Sequence, residues 1–198
     1  EEIKGMVDRG EYFAVNRARQ YGKTTTLNRL AEKLSGEYIV FLISFEGIED
    51  AVYENAASFC QRFCRLLYRF LRYNERMTDG ISESLKEELR RVQSDNAVNL
   101  EDLSDLISEL CGQSEKPVVI MIDEVDQAGN QKIFLSFLGM LRRKFLSRKT
   151  EPTFHSVVLA GVYDINNLKL KVRPMEEHQY NSPWNIAADF DVDMSFSS

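Results

Sequence analysis

The 198 residues suffice for one α/β domain with a sizeable core, and a content of 43% hydrophobic and 28% charged residues excludes an intrinsically disordered chain. The net charge of −6 argues against a protein whose whole surface grips nucleic acid, although it leaves room for a local basic patch. No apolar run approaches the roughly 20 residues that cross a bilayer, and the first residues show no signal-peptide pattern.

The first part of the chain predicts a strand, a loop, a helix and a second strand. Residues 12–16 are a short β-prone run, and the loop 17–21 follows them. Residues 24–34 carry apolar side chains at helical spacing. Residues 38–45 are almost unbroken apolar β formers, which is typical of a strand that is buried on both faces.

The middle of the chain predicts three helices and a strand. The helical pattern of residues 52–73 has an aromatic stripe, which we interpret as core packing against the sheet. Residues 82–93 predict a charged amphipathic helix, and residues 100–111 predict another helix with a leucine-rich stripe. Residues 118–122 read Val-Val-Ile-Met-Ile and predict a second buried strand, which ends in Asp123-Glu124.

The last part of the chain predicts a helix over 131–147, a buried strand over 156–161 and a final short strand over 185–190. Helices therefore alternate with strands that are apolar on both faces, which indicates a parallel sheet covered on both sides. Ligands bind such sheets at the carboxyl ends of the strands. Two polar motifs stand at such ends.

The chain has three cysteines, Cys60, Cys64 and Cys111, and so small and odd a number does not indicate a disulfide framework. Cys60 and Cys64 share a face of the predicted helix, but neither His155 nor His178 lies near them in the sequence. We predict buried structural cysteines rather than a metal pair, and structural rather than catalytic histidines. Free cysteines fit a reducing, cytoplasmic setting.

The first polar motif is Gly22-Lys23-Thr24, which stands between a predicted strand and a predicted helix, as in a phosphate-binding loop. Gly22 allows close approach of phosphate, Lys23 reaches the β- and γ-phosphates, and the Thr24 hydroxyl ligates Mg²⁺. Arg17 stands where such loops usually have their first glycine. The residues expected to bind the nucleotide are Arg19, Gln20, Tyr21, Gly22, Lys23, Thr24 and Thr25.

The second polar motif is the apolar strand that ends in Asp123-Glu124, a Walker B pattern about one hundred residues after the first motif. Asp123 is expected to hold Mg²⁺ through a water molecule. Glu124 is expected to orient the attacking water or to accept its proton, which makes Glu124 and Lys23 the predicted catalytic residues. An ordinary apolar strand with a solvated acidic turn is the alternative, but the combination of both motifs favours a nucleotide site.

The segments YFAVNRARQYGKTTTL, VVIMIDEVD and SVVLAGVYDINNL resemble those of the bacterial AAA-ATPase-like family of P-loop proteins. That family carries an arginine-rich loop, which Arg17, Arg19, Tyr21 and the Gly22-Lys23-Thr24 triplet match position by position. The resemblance covers residues 1–198. It implies a P-loop NTPase of the ASCE/AAA type, a three-layer sandwich with a five-stranded parallel sheet in which the sensor strand separates the loop strand from the Walker B strand.

Two further sites follow from the resemblance. The sensor strand ends in Ala160-Gly161 and so lacks the usual polar side chain, and Asp164 is either a substitute or a turn residue. Arg142 and Arg143 near the end of the helix after Walker B are either an arginine finger for a neighbouring subunit or a helix-terminal charge.

The resemblance implies ATP and Mg²⁺ as cofactors, because no guanine-reading motif is present. The leading hypothesis is an ATPase that couples ATP binding and hydrolysis to movement of a C-terminal lid region, with a nuclease-like domain beyond it in many members; we expect both parts to be missing here. The alternatives are a slow-turnover nucleotide-dependent switch and a degenerate scaffold for partner binding. A homo-oligomer stays open, and this sequence gives no support to nucleic-acid binding.

Overall fold

The computed structural model describes residues 2–16, 23–129 and 131–161. It has four strands: β1 (Tyr12–Asn16), β2 (Ile39–Ser44), β3 (Val118–Asp123) and β4 (Ser156–Gly161). It has six α-helices: α1 (Glu2–Asp8), α2 (Lys23–Leu34), α3 (Ala56–Tyr73), α4 (Glu83–Val92), α5 (Leu100–Gln113) and α6 (Lys132–Leu146).

The described strands form one parallel sheet in the order β1-β4-β3-β2. The expected position of the sensor strand is confirmed, because β4 lies between β1 and β3. The sequence predicted five strands, and the described residues contain four. The predicted strand over residues 185–190 lies outside them.

The predicted elements match the structure closely, with two exceptions: the start of α3 and the additional helix α1. β1 and β4 have the predicted bounds, but α3 begins at Ala56 rather than at residue 52. Residues 50–53 form a short 3₁₀ turn instead, and the Asn55 side chain caps α3 by accepting a hydrogen bond from the Ser58 amide at 2.9 Å. α1 was not predicted, because seven residues are too few for a clear periodic pattern.

Helices pack on both faces of the sheet, and alternate residues of each strand serve the two faces. On β3, Ile120 and Ile122 face the larger core, which α3, α4, α5 and α6 cover, while Val119 and Met121 face the smaller core under α1 and α2. Aromatic rings fill the larger core, where the Phe63 and Phe137 centroids lie 4.9 Å apart. The interpretation of the aromatic stripe on α3 as core packing is therefore confirmed.

The cysteines of α3 are structural. Cys60 and Cys64 are free and fully buried, and burial raises the pKa of the Cys60 thiol to about 12 and that of Cys64 further. Within residues 2–16, 23–129 and 131–161, no cluster of three or more His, Cys, Asp or Glu is arranged to hold a metal ion. In the same ranges, no helix has the length and apolar character needed to cross a membrane.

A buried lysine ties the end of α6 to α5 and to the segment that enters β4. The Lys144 side chain is 3% exposed, and its Nζ atom contacts Glu151 Oε1 at 2.5 Å and Ser108 Oγ at 2.6 Å. Hydrogen bonds from Lys144 and Ser108 hold the pKa of Glu151 below its usual value. A buried ammonium group needs such partners, because its desolvation is otherwise uncompensated.

We expect Glu151→Ala to lower the free energy of unfolding by about 1–3 kcal/mol, because it removes a charged hydrogen-bond partner from a buried lysine. The control is Glu87→Ala, which removes one member of the exposed Arg90–Glu87 pair and should change stability by less than about 0.5 kcal/mol. Urea denaturation at neutral pH measures both. Since the pKa of Glu151 is lowered in the folded state, the contribution of Glu151 to the free energy of unfolding should decrease as the pH falls and the carboxylate becomes protonated. Equal losses in the two variants would contradict the role of this contact.

Candidate functional site

Polar strand ends meet at the carboxyl edge of the sheet. In the parallel register, Asn16 of β1 lies opposite Gly161 of β4, and Ser44 of β2 lies opposite Asp123 of β3. The side chains that follow these strands therefore start from one edge. This is the edge at which parallel α/β sheets bind ligands.

A side-chain hydrogen bond joins the two sequence motifs at this edge. The Thr24 hydroxyl donates to Asp123 Oδ2 at 3.1 Å, across 99 residues of sequence. The other carboxylate oxygen, Asp123 Oδ1, accepts from the Glu124 amide at 2.9 Å. Asp123 is 4% exposed, so its carboxylate is held in a fixed direction inside the fold. The two residues predicted to hold the metal therefore lie together.

The chemistry of this pair fits Mg²⁺. Hydroxyl and carboxylate oxygens are the hard ligands that Mg²⁺ prefers. The observed separation of Thr24 Oγ1 and Asp123 Oδ2 is 3.1 Å. Mg²⁺ is usually held by one or two carboxylates together with water and substrate phosphates, so it does not need a larger cluster of protein ligands.

The two ends of the predicted phosphate loop are well placed for phosphate binding. β1 ends at Asn16 and α2 begins at Lys23, so the loop leads from the carboxyl edge into the amino terminus of a helix. Thr24 and Thr25 lie in the exposed first turn of α2, where amides lack partners within the helix and attract anions. The other predicted loop residues lie outside the described residues: Arg17, Arg19, Gln20, Tyr21 and Gly22.

Glu124 has a left-handed backbone conformation with φ of 57° and ψ of 38°. It is the one non-glycine residue with a positive φ in the ranges that the structure describes. Such a conformation is uncommon for a glutamate and is a form of strain found at functional sites. It turns the chain sharply from β3 into the 3₁₀ turn Val125–Ala128, and this turn sets the direction of the half-buried Glu124 side chain.

Asp126 occupies the space above the end of β4, a contact that the sequence reasoning missed. A Cβ atom on Gly161 would lie 2.9 Å from Asp126 Oδ1 and 3.3 Å from Val125 Cγ2. The glycine at the end of β4 therefore makes room for a carboxylate from the turn that follows β3. The sequence signal for this contact was the second aspartate of Asp-Glu-Val-Asp, which lies shortly after the strand. Asp164, the expected substitute for the sensor, lies outside the described residues.

Arg142 and Arg143 do not reach this chain's own site. They lie near the end of α6, and beyond them Arg148 Nη1 donates to the Gly10 carbonyl at 2.8 Å, just before β1 begins. The end of α6 is therefore at the amino edge of the sheet, opposite the candidate site. Arg143 is exposed and Arg142 is half-buried. Their role as fingers for a neighbouring subunit stays a prediction.

The two histidines have different outcomes. His155 is half-buried at the amino edge, where its Nε2 atom lies 2.9 Å from the Val7 carbonyl oxygen and its ring stacks on Tyr38. These contacts fit the structural role that the sequence predicted. His178 lies outside the described residues.

Comparison with known proteins places the chain in a family. A family model described as an AAA-like domain matches residues 2–189, and the chain belongs to that family. No curated protein matches the chain. A solved structure of EssC (ATPases 2 and 3) from Geobacillus thermodenitrificans is similar at 12% identity and a TM-score of 0.37, covering 88% of this chain and 36% of that one. The chain thus spans about a third of that structure, and a similarity this low transfers neither fold nor activity.

We expect Gly161→Ala to cost about 1–3 kcal/mol of stability, because the added methyl group displaces Asp126 and Val125. Asp126→Ala in the Gly161→Ala background should recover part of that loss, since it removes the atom that the methyl group meets. Thermal unfolding of the two single variants and the double variant gives the coupling. Additive effects would show that the two residues do not compete for the same space.

Proposed function

We propose that this AAA-like domain binds ATP with Mg²⁺ at the carboxyl edge of its sheet and hydrolyses it. The observation that carries the proposal is the hydrogen bond between the Thr24 hydroxyl and the buried Asp123 carboxylate. It joins the residue that follows the phosphate-binding lysine to the acidic end of the Walker B strand. An isolated Gly-Lys-Thr triplet or an isolated acidic turn does not require such a meeting.

Each residue of the site has a proposed role. The Gly22 backbone admits the phosphates closely, and Lys23 neutralises charge on the β- and γ-phosphates. Backbone amides and side chains of Arg19, Gln20, Tyr21 and Thr25 complete the phosphate contacts at the start of α2. Thr24 and Asp123 hold Mg²⁺, which when bound supplies charge neutralisation on the phosphate oxygens.

Glu124 is the proposed group that orients the attacking water and takes its proton. It directly follows Asp123, the proposed Mg²⁺ ligand, and its left-handed backbone turns the chain out of β3 at this point. The Asp126 carboxylate at the end of β4 lies close by and stands where AAA-type proteins place a polar sensor. We propose that Asp126 contributes there by positioning neighbouring groups rather than by contacting ATP.

Two modes of action use this same site. In the first, ATP hydrolysis moves a C-terminal lid region or a nuclease-like domain. In the second, the domain holds ATP, turns it over slowly and acts as a switch. Gly161 has no side chain, and the Asp126 carboxylate occupies the space beside it. This favours the switch, because a negatively charged carboxylate is repelled by the γ-phosphate and is poorly suited to sense it. A scaffold without nucleotide binding has no observation in its favour.

We expect calorimetric titration with Mg·ATP to detect binding that Lys23→Ala weakens by about tenfold or more, which corresponds to the loss of a charge-assisted contact. The matched control is Lys33→Ala, an exposed lysine in the last turn of the same helix, which should bind as the unchanged chain does. Thr24→Ala should weaken binding in Mg²⁺ more than in EDTA. Equal affinity of the Lys23 and Lys33 variants would place the nucleotide elsewhere.

We expect Glu124→Gln to leave the affinity for Mg·ATP within a factor of about 3 while lowering turnover about 100-fold or more, because a general base supplies that much of the rate. Glu32→Gln, which removes an exposed carboxylate from α2, is the control. Turnover in a phosphate-release assay that Glu124→Gln leaves unchanged would refute its role. Tight binding with negligible turnover in a longer protein that includes the expected lid region would establish the switch instead of the motor.

A further inference from the structure

One side of α3 is a row of arginines that the nucleotide site does not use. Arg62, Arg65, Arg69 and Arg72 are spaced by three, four and three residues, which places them on one face of the helix. Arg65, Arg69 and Arg72 are exposed and Arg62 is half-buried. With a rise of 1.5 Å per residue, this arginine face extends over about 15 Å.

The four arginines of this face form no ion pair in the described part of the chain. No Asp or Glu occurs between Asn55 and Asn74. Like charges three and four residues apart destabilise a helix. By contrast, α4 pairs its exposed arginines with glutamates three residues away. The repulsion on α3 is the feature that a negatively charged partner would relieve.

The charge of the molecule is segregated rather than uniformly negative. A cavity of about 510 Å³ between α4 and α5 is, by contrast, lined mainly by acidic side chains. These are Glu88, Asp95, Asp102, Asp105 and Glu109, with Arg91 as the one basic residue of the lining. The overall charge of −6 therefore conceals a positive surface. Whole-chain charge was the reason for expecting no nucleic-acid contact, and it does not apply to this face.

We propose that the arginine face of α3 binds single-stranded nucleic acid through its phosphate backbone, a function beyond the ATP site. Guanidinium groups match phosphate oxygens in a bidentate geometry, and this face has arginine at every cationic position and no lysine. A row of cations about 15 Å long suits several consecutive phosphates of one strand.

Tyr73 supports a single strand rather than a duplex. It is the most exposed large hydrophobic side chain in the ranges that the structure describes, at 72%, and it ends the helix beside Arg72, whose guanidinium carbon lies 5.9 Å from the ring centroid. An exposed aromatic ring beside a row of cations offers a surface on which an unpaired base can stack. A base that is paired within a duplex does not present a free face to such a ring. The arginine face has no exposed large aliphatic side chain, and it is dense in charge, whereas the buried centre of a protein–protein interface is depleted in charged residues.

The experiment is fluorescence anisotropy of a labelled 20-nucleotide thymidine strand with the 198-residue chain, from 25 to 200 mM salt. Arg65→Gln/Arg69→Gln/Arg72→Gln should weaken binding about tenfold or more at low salt and reduce the salt slope by about 2, since each phosphate contact on a single strand contributes about 0.7. The matched control Arg29→Gln/Lys33→Gln/Arg90→Gln removes the same charge from exposed positions on α2 and α4 and should bind nearly as the unchanged chain does.

Three further variants separate this surface from the nucleotide site and from general charge attraction. Lys23→Ala should retain strand affinity, and Tyr73→Ala should lose about tenfold while Tyr73→Phe keeps it, because a phenyl ring still stacks on a base. Equal losses in the two triple variants would overturn the proposal. Equal binding of a 20-base-pair duplex would also overturn it. Equal competition by poly-glutamate would indicate an acidic protein partner instead, and concentration-dependent self-association that only the arginine-face variant loses would indicate a second copy of this chain. Circular dichroism checks that each variant is folded.

Discussion

The parallel order of the sheet is the constraint on which the rest of the structure depends. With β4 between β1 and β3, the carboxyl ends of the loop strand and the Walker B strand open at the same edge. The helix that follows β1 then starts at that edge, and Thr24 in its first turn reaches Asp123. Any other order that separated β1 from β3 further would leave the two motifs apart. The sheet keeps this order because its strands bury side chains on both faces against helices.

The chemical site is concentrated at the tight turn that leaves β3. Asp123 is buried and held by two hydrogen bonds, Glu124 takes a left-handed backbone, and Asp126 fills the space that Gly161 leaves open. Three carboxylates within four residues are mutually repulsive without a cation or other partners. A Mg²⁺ ion at the proposed site would lower this repulsion. The strain of the turn is consistent with such a role.

α3 connects the core with the second proposed surface. Its buried side supplies Phe59, Phe63 and Leu67 to the aromatic core, while its opposite side carries the arginine face. The apolar packing stabilises the helix sufficiently to tolerate the repulsion between its arginines. The nucleotide site and the arginine face therefore depend on the same core, although they lie on different elements. Between them lies β2, which packs against α3 and pairs with β3.

The sequence by itself determined the strands, most helices and the two motifs, because apolar periodicity and the polar residues at strand ends are local signals. The bounds of β1 and β4 and the aromatic side of α3 follow from such patterns. Only the tertiary structure decided the contact of Thr24 with Asp123, the left-handed Glu124 and the Asp126 carboxylate over Gly161. It also decided that the arginines of α3 form no ion pair within the described residues. These features join residues that are distant in sequence or depend on backbone angles and solvent exposure, and local patterns carry no information about either.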